Sequence, residues 1–254
     1  MKIIVLLSAG LHPVSGRLCP VPVELQALRL AATLGGSVEG LHAGPDPAAV
    51  QDALGHGLAV LRHLDIAAGE DPLPSLERAL ADAAPDLVLA GRAGQGGEDS
   101  GLLPYALAHR LGLPLAADAA AIALGEAGTL EVEQALPRGV RRRLALPLPA
   151  LITVHPAAPP PLPYAFGGAR RGVIVRTTGL PAPRPEPEAE ERAYRKRPKL
   201  IATAAAGATA AERLKAATQT AASGGRLLVD PEPEVAAREI LAHLRAIGVL
   251  RARG

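Results

Sequence analysis

Tryptophan is absent from this chain of 254 residues, phenylalanine occurs once and tyrosine three times. Single-stranded nucleic acid is read by stacking its bases on aromatic faces, so that class of partner is disfavoured, and the core must be built from Ala, Leu, Val and Ile. A single cysteine, Cys19, excludes an internal disulfide, a multi-cysteine metal site and a c-type haem attachment. It reads as a small core residue, since no base accompanies it. The seven histidines show no metal-ligand spacing. No apolar run approaches the ~20 residues of a membrane span. The opening run at 2–7 is too short for a signal-peptide core with a cleavage site. A cytoplasmic protein with no membrane span is therefore expected. Charge of one sign is lacking too: 27 basic against 25 acidic residues leave a formal +2. That balance does not signal a nucleic-acid partner. The basic clusters at Arg138 with Arg141, Arg142 and Arg143, at Arg170-Arg171, and over 192–199 read as solvated faces.

Strand-like and helix-like segments alternate with short connections. A buried strand at 2–7 precedes a helix from Val23 to Leu34 closed by Gly35-Gly36. A strand at 38–41 ends in Ala43-Gly44-Pro45. Asp46-Pro47 then caps a helix reaching about Leu54, and a third strand follows at 58–61. A helix at 75–84 leads through Pro85-Asp86 into Leu87-Val88-Leu89-Ala90, followed by a glycine-rich loop and a helix at 102–111. The pattern predicts an α/β fold, doubly wound and mostly parallel, with flanking helices. Short strands at 119–124, 130–136, 140–146 and 148–154 predict an edge β-meander. A proline-rich connector follows at 155–163. A Pro/Glu/Arg-rich arm begins at 180, carries a weak helix at 211–222, and ends in an amphipathic helix at 233–247. The expected division is a nucleotide-binding α/β domain at 1–179 and a C-terminal arm and helix at 180–254 that wraps a partner subunit.

The residues from Gly91 to Gly101 carry the functional signal. In open α/β sheets, ligands sit beyond the carboxyl ends of strands, where strand order reverses. Gly91, Gly94, Gly96 and Gly97 let successive amides point at one anion. Asp99 or Ser100 supplies an N-cap, and the helix that follows adds its positive end. There is no Gly-Lys-Ser/Thr, so no lysine reaches a γ-phosphate. A mono- or diphosphate suits the loop better than a triphosphate awaiting hydrolysis, and no residue grouping argues for bond-making chemistry by the protein. His12 and His42 lie near strand ends and read as structural.

The order of these features resembles the beta subunit of the electron-transfer flavoproteins. Lys2-Ile3-Ile4-Val5 is similar to that family's first strand, and Glu24-Leu25-Gln26-Ala27-Leu28-Arg29-Leu30 to its first helix. Ala43-Gly44-Pro45, Asp86-Leu87-Val88-Leu89-Ala90-Gly91-Arg92 and Leu148-Pro149-Ala150-Leu151-Ile152-Thr153 resemble later strands and turns, and Pro233-Glu234-Val235-Ala236 the closing helix. The resemblance implies an electron carrier. FAD would be held mainly by an alpha subunit in a heterodimer, AMP would lie in this chain, and a donor dehydrogenase would be the partner in transfer. By matching positions, Leu6, Ala43 and Gly91 would line the adenosine pocket, with Asp99, Ser100 and Gly101 at the phosphate.

The family's aspartate run and Asn-Gln-Thr-Gly are replaced here by a shorter glycine-rich loop ending Glu98-Asp99-Ser100-Gly101. Cys19-Pro20-Val21 stands for Asn-Pro-Phe, and Pro163-Tyr164-Ala165-Phe166 for the partner-docking loop. Two alternatives stay open: a stand-alone adenine-nucleotide-binding protein of universal-stress type, and a bifurcating flavoprotein subunit that holds a second FAD.

Overall fold

A computed structural model describes residues 1–93, 100–126, 128–183, 209–211, 228–229 and 231–246. The chain divides into two compact units, 1–188 and 189–254.

In the first unit, the strands are β1 Lys2–Leu6, β2 Ala9–Leu11, β3 Leu18–Pro20, β4 Ser37–Gly44, β5 Val60–Asp65, β6 Leu87–Gly91, β7 Leu115–Leu124, β8 Thr129–Ala135, β9 Arg141–Pro147, β10 Ala150–Val154 and β11 Val173–Thr178. The helices are α1 Pro22–Leu34, α2 Leu73–Ala83, α3 Leu102–Leu111 and α4 Phe166–Arg171. Nine strands form one sheet in the order β11-β5-β4-β1-β6-β10-β7-β8-β9, and β2 and β3 form a separate hairpin. From β11 to β7 every pairing is parallel; β8 and β9 add antiparallel strands. The α/β, mostly parallel architecture is as the alternation of segments predicts.

β6 and β10 are buried at every position, which is why they read as near-continuous apolar runs, broken in β10 only by Thr153. One face of the sheet packs Ile3, Val5, Leu87, Leu89, Ile152 and Val154 against Leu25 and Leu28 of α1. The other packs Ile4, Leu6, Val88 and Leu151 against Leu76 and Leu80 of α2 and Leu107 of α3. Gly36 lets the chain turn from α1 into β4: its φ is +102°, and a Cβ there would lie 2.3 Å from the Met1 carbonyl oxygen.

Three expectations are corrected. The segment after Pro45 is not an α-helix but two 3₁₀ stretches, Pro47–Ala49 and Gln51–His56. Asp46 still caps the first, accepting from Ala48 N–H at 2.9 Å. The segment is too short, and too rich in Gly and Pro, for i→i−4 bonding. The strand placed at 58–61 runs from Val60 to Asp65. The last strand of the expected meander, β10, does not continue it. It inserts in parallel between β6 and β7 and joins the meander to the body of the sheet. The hairpin β2–β3, the edge strand β11 and the helix α4 carry no clear pattern and are not anticipated.

The second unit contains the helix Pro233–Ala246, which matches the amphipathic helix expected there. The weak helix at 211–222 and the glycine stop at 248 lie outside the described residues, apart from Ala211. No helix among the described residues is long and apolar enough to cross a membrane.

Candidate functional site

Strand order reverses at β1. The first connection, through α1, leads to β4 on one side. The crossover from β5 through α2 returns to β6 on the other. The carboxyl ends of β1 and β6 are therefore the position at which such sheets take ligands.

At this end the first turn of α1 brings Glu24 over the sheet. Its carboxyl is buried, with Ser8 N–H donating to Oε2 at 2.7 Å and Ser8 Oγ to Oε1 at 2.6 Å. Burial pushes the Glu24 acid up to about 8, although both Ser8 hydrogen bonds favour the charged form. Gly91, the last residue of β6, lies beneath it: a Cβ on Gly91 would come within 2.9 Å of Glu24 Cγ and 3.0 Å of Val23 Cγ1. Glycine is needed here for close approach, because the side of Gly91 that a Cβ would occupy is filled by α1.

His42 and His63 stack on the neighbouring strands β4 and β5, with ring centroids 5.7 Å apart. His42 Nδ1 donates to the Leu7 carbonyl at 2.9 Å and His63 Nε2 to the Gly44 carbonyl at 2.7 Å. A carbonyl only accepts, so each of those nitrogens carries the proton. His42 Nε2 and His63 Nδ1 are left buried without a hydrogen-bond partner among the described residues. Burial lowers the His42 pKa and His63 adds to that effect, while the Leu7 carbonyl and Asp46 oppose it.

On the other side of β6, Arg92, Thr153 and Asp118 converge where β10 and β7 end their parallel pairing. Asp118 sits at a bulge with φ +56°, and its N–H donates to Thr153 Oγ1 at 3.0 Å. Arg92 Nε lies 3.6 Å from Asp118 Oδ1, an ion pair too long to be a hydrogen bond. Asp118 Oδ1 is itself buried and has no hydrogen-bond partner among the described residues.

Leu6 ends β1 and Ala43 lies in β4, both packed into the cluster on the α2–α3 face. Gly91 ends β6, its Cβ position filled by α1 on the opposite face, so the structure does not bring it together with Leu6 and Ala43. Ser100 is exposed, and its Oγ accepts from Leu102 N–H at 3.3 Å. Gly101 stands at the N-cap of α3 in place of the expected Asp99 or Ser100, with φ +70°, and a Cβ there would lie 2.8 Å from the Arg92 carbonyl oxygen. The base of the loop is thus drawn shut between Arg92 and Gly101, beneath the positive end of α3. Gly94, Gly96, Gly97 and Asp99 lie outside the described residues.

Sequence reading passed over Glu24, Thr153 and Asp118 as site residues. Asp118 left one signal: it is the lone charged residue in the otherwise apolar run of β7. Glu24 left none, because an acid in the first turn of a helix usually faces water. Two cavities, of about 240 and 300 Å³, lie elsewhere, and neither is lined by a described residue of β6 or its loop.

Residues 17–181 match the electron transfer flavoprotein domain. The chain is 40% identical over 258 residues to a protein of Chromohalobacter salexigens described as electron transfer flavoprotein subunit beta. The match covers 99% of this chain and 96% of that relative.

Proposed function

The chain belongs to the electron transfer flavoprotein family as a beta subunit, and from that premise we propose that it holds AMP at the carboxyl ends of β1 and β6. In this reading it works in the cytoplasm as one half of a heterodimer. An alpha subunit holds most of the FAD, this chain covers it, and a donor dehydrogenase delivers the electrons.

The observation that carries the reading is the meeting of a strand-order reversal with a loop base suited to an anion. The Arg92 side chain is 60% exposed beside the start of α3, so its guanidinium and the helix end both favour a phosphate there. Near neutral pH the raised Glu24 acid retains its proton for the most part, so it adds little repulsion toward that phosphate. Among the described residues Asp118 Oδ1 has no hydrogen-bond partner, and the side chain is 31% exposed, which suits a ligand donor rather than a second anion. These donors and acceptors fit a nucleoside monophosphate. When bound, FAD supplies the electron-accepting chemistry. This chain contributes binding, orientation and exclusion of water.

The C-terminal arm from 180 supports the heterodimer. Its helix presents Val235, Ile240 and Leu241 as exposed apolar residues, a stripe suited to the surface of an alpha subunit. Coexpression with an alpha subunit, followed by native mass spectrometry and absorbance spectroscopy, tests the proposal. A one-to-one yellow complex that releases one FAD and one AMP is expected. A colourless complex, or a chain that never retains the second subunit, overturns it. Release of a second FAD in place of AMP would identify a bifurcating subunit and overturn the AMP assignment.

A further inference from the structure

We infer that Asp118, steadied by Arg92 and Thr153, accepts a hydrogen bond from a ribose hydroxyl of the bound nucleotide. The inference rests on the reading above that this chain holds an adenine nucleotide.

Asp118 is costly to the fold as it stands. It occupies the left-handed region, φ +56°, where a residue with a side chain is strained. It places a carboxylate in a strand that is otherwise uncharged. The surroundings hold it there: the β-bulge between β7 and β10 supplies the extra residue, and Thr153 Oγ1 takes its N–H at 3.0 Å. Packing gives no reason for an acid at this position.

Its electrostatic partner does not satisfy it. Arg92 Nε stands off at 3.6 Å, and Oδ1 is buried with no hydrogen-bond partner among the described residues, yet the side chain as a whole is 31% exposed. Thr153 thus holds the backbone of Asp118, the buried Oδ1 faces Arg92, and the exposed remainder of the side chain is left to a ligand. A carboxylate accepts hydrogen bonds and repels phosphate, so the group it takes from a nucleotide is a hydroxyl or an amine. Arg92 chooses between them. Its backbone lies against Gly101 at the start of α3, the end that favours the phosphate, and its guanidinium lies beside Asp118. Ribose is the part of a nucleotide next to the phosphate; the adenine amine is at the far end. A vicinal diol also offers two donors to one carboxylate.

The test uses the coexpressed complex, freed of endogenous nucleotide and titrated with AMP, 2′-deoxyAMP and 3′-deoxyAMP by calorimetry. The variants are Asp118→Asn, which tolerates the same backbone, and Asp118→Gly, which relieves its strain. The unaltered complex is expected to prefer AMP over at least one deoxy analogue by about tenfold or more, as for a hydrogen bond to a charged group. In Asp118→Gly that preference is expected to disappear while the complex stays folded, and in Asp118→Asn to shrink. Equal binding of all three nucleotides by the unaltered complex overturns this inference but leaves the AMP reading standing. The inference also falls if Asp118→Gly weakens all three equally and preserves their ratio, since the Arg92 pair would then only latch the loop. If the unaltered complex binds none of the three, both readings fall.

Discussion

His42 and Glu24 hold opposite ends of one peptide group. The bond between Leu7 and Ser8 gives its carbonyl to His42 Nδ1 at 2.9 Å and its N–H to Glu24 Oε2 at 2.7 Å. Both side chains are almost wholly buried. The chain leaving β1 is thus fixed by two titratable groups, one reaching in from β4 and one from α1. Burial pushes both toward their neutral forms, but on opposite sides of neutrality.

For Glu24, the folded chain keeps a proton that the unfolded chain releases between pH 4.5 and about 8. Its contribution to stability is whole below pH 4.5 and is lost as pH rises through 8. For so buried a group the loss is on the order of a few kcal/mol. Glu24→Gln keeps the volume and an acceptor for Ser8 but cannot ionise. Its urea-unfolding free energy is expected to change much less between pH 6 and pH 9 than that of the unaltered chain. An alkaline slope identical in both would refute the assignment.

For His42 the sign reverses. Its folded pKa lies below 6.5, burial being the main cause. As pH falls below 6.5 the unfolded chain takes up a proton that the folded chain resists, so stability declines toward acid. His42→Gln retains an N–H for the Leu7 carbonyl without titrating, and is expected to flatten the acid limb. A proton-NMR titration of the imidazole should give a midpoint below 6.5; a midpoint above it would contradict the burial seen here.

The doubly wound fold was legible because β6 and the helix following it are local signals: an unbroken apolar run, then a helical stripe with a glycine at each end. The position of β10 was not. Its four apolar residues say that it is buried but not between which strands, and only the long-range register of Ala150 with Leu87 and Leu151 with Leu115 decides that. The glycine loop is expected to be an anion site from its composition, and its residues 94–99 lie outside the described residues. Glu24 and Asp118 were hidden because their importance comes from what folds over them. The carboxyl of Glu24 is buried by the end of β1 and Gly91, and Asp118 is turned by a bulge that no alternation pattern records.

Gly101 and Gly112 flank α3 with nearly the same backbone angle, φ +70° and +63°, yet alanine should affect them differently. At Gly112 nothing lies within 4 Å of the added methyl, so the cost is backbone strain alone, about 1 kcal/mol. At Gly101 the methyl meets the Arg92 carbonyl oxygen at 2.8 Å, a backbone atom that cannot swing away. Gly101→Ala is therefore expected to cost about 1–3 kcal/mol and to open the base of the loop. AMP retained by the purified complex, measured by mass spectrometry, should fall in Gly101→Ala and hold in Gly112→Ala. Equal retention in the two would separate the loop base from nucleotide binding.

All strands of the nine-stranded sheet lie before residue 179, inside the compact unit 1–188. Loss of the rest of the chain should therefore leave the sheet and both its apolar faces intact. Ending the chain after Glu188 is expected to preserve a cooperative thermal transition but to abolish retention of the coexpressed alpha subunit. A milder variant separates the helix from the arm that leads to it. Changing Val235, Ile240 and Leu241 to aspartate places charge on the exposed apolar stripe of the C-terminal helix, where burial against a partner would leave each carboxylate unpaired. That triple variant should match the unaltered chain in melting temperature when alone, and lose most of the alpha subunit in a pull-down. If the alpha subunit is retained in full by the triple variant and by the truncated chain, the arm is not what holds the two subunits together, and the sheet surface of the first unit must carry the interface.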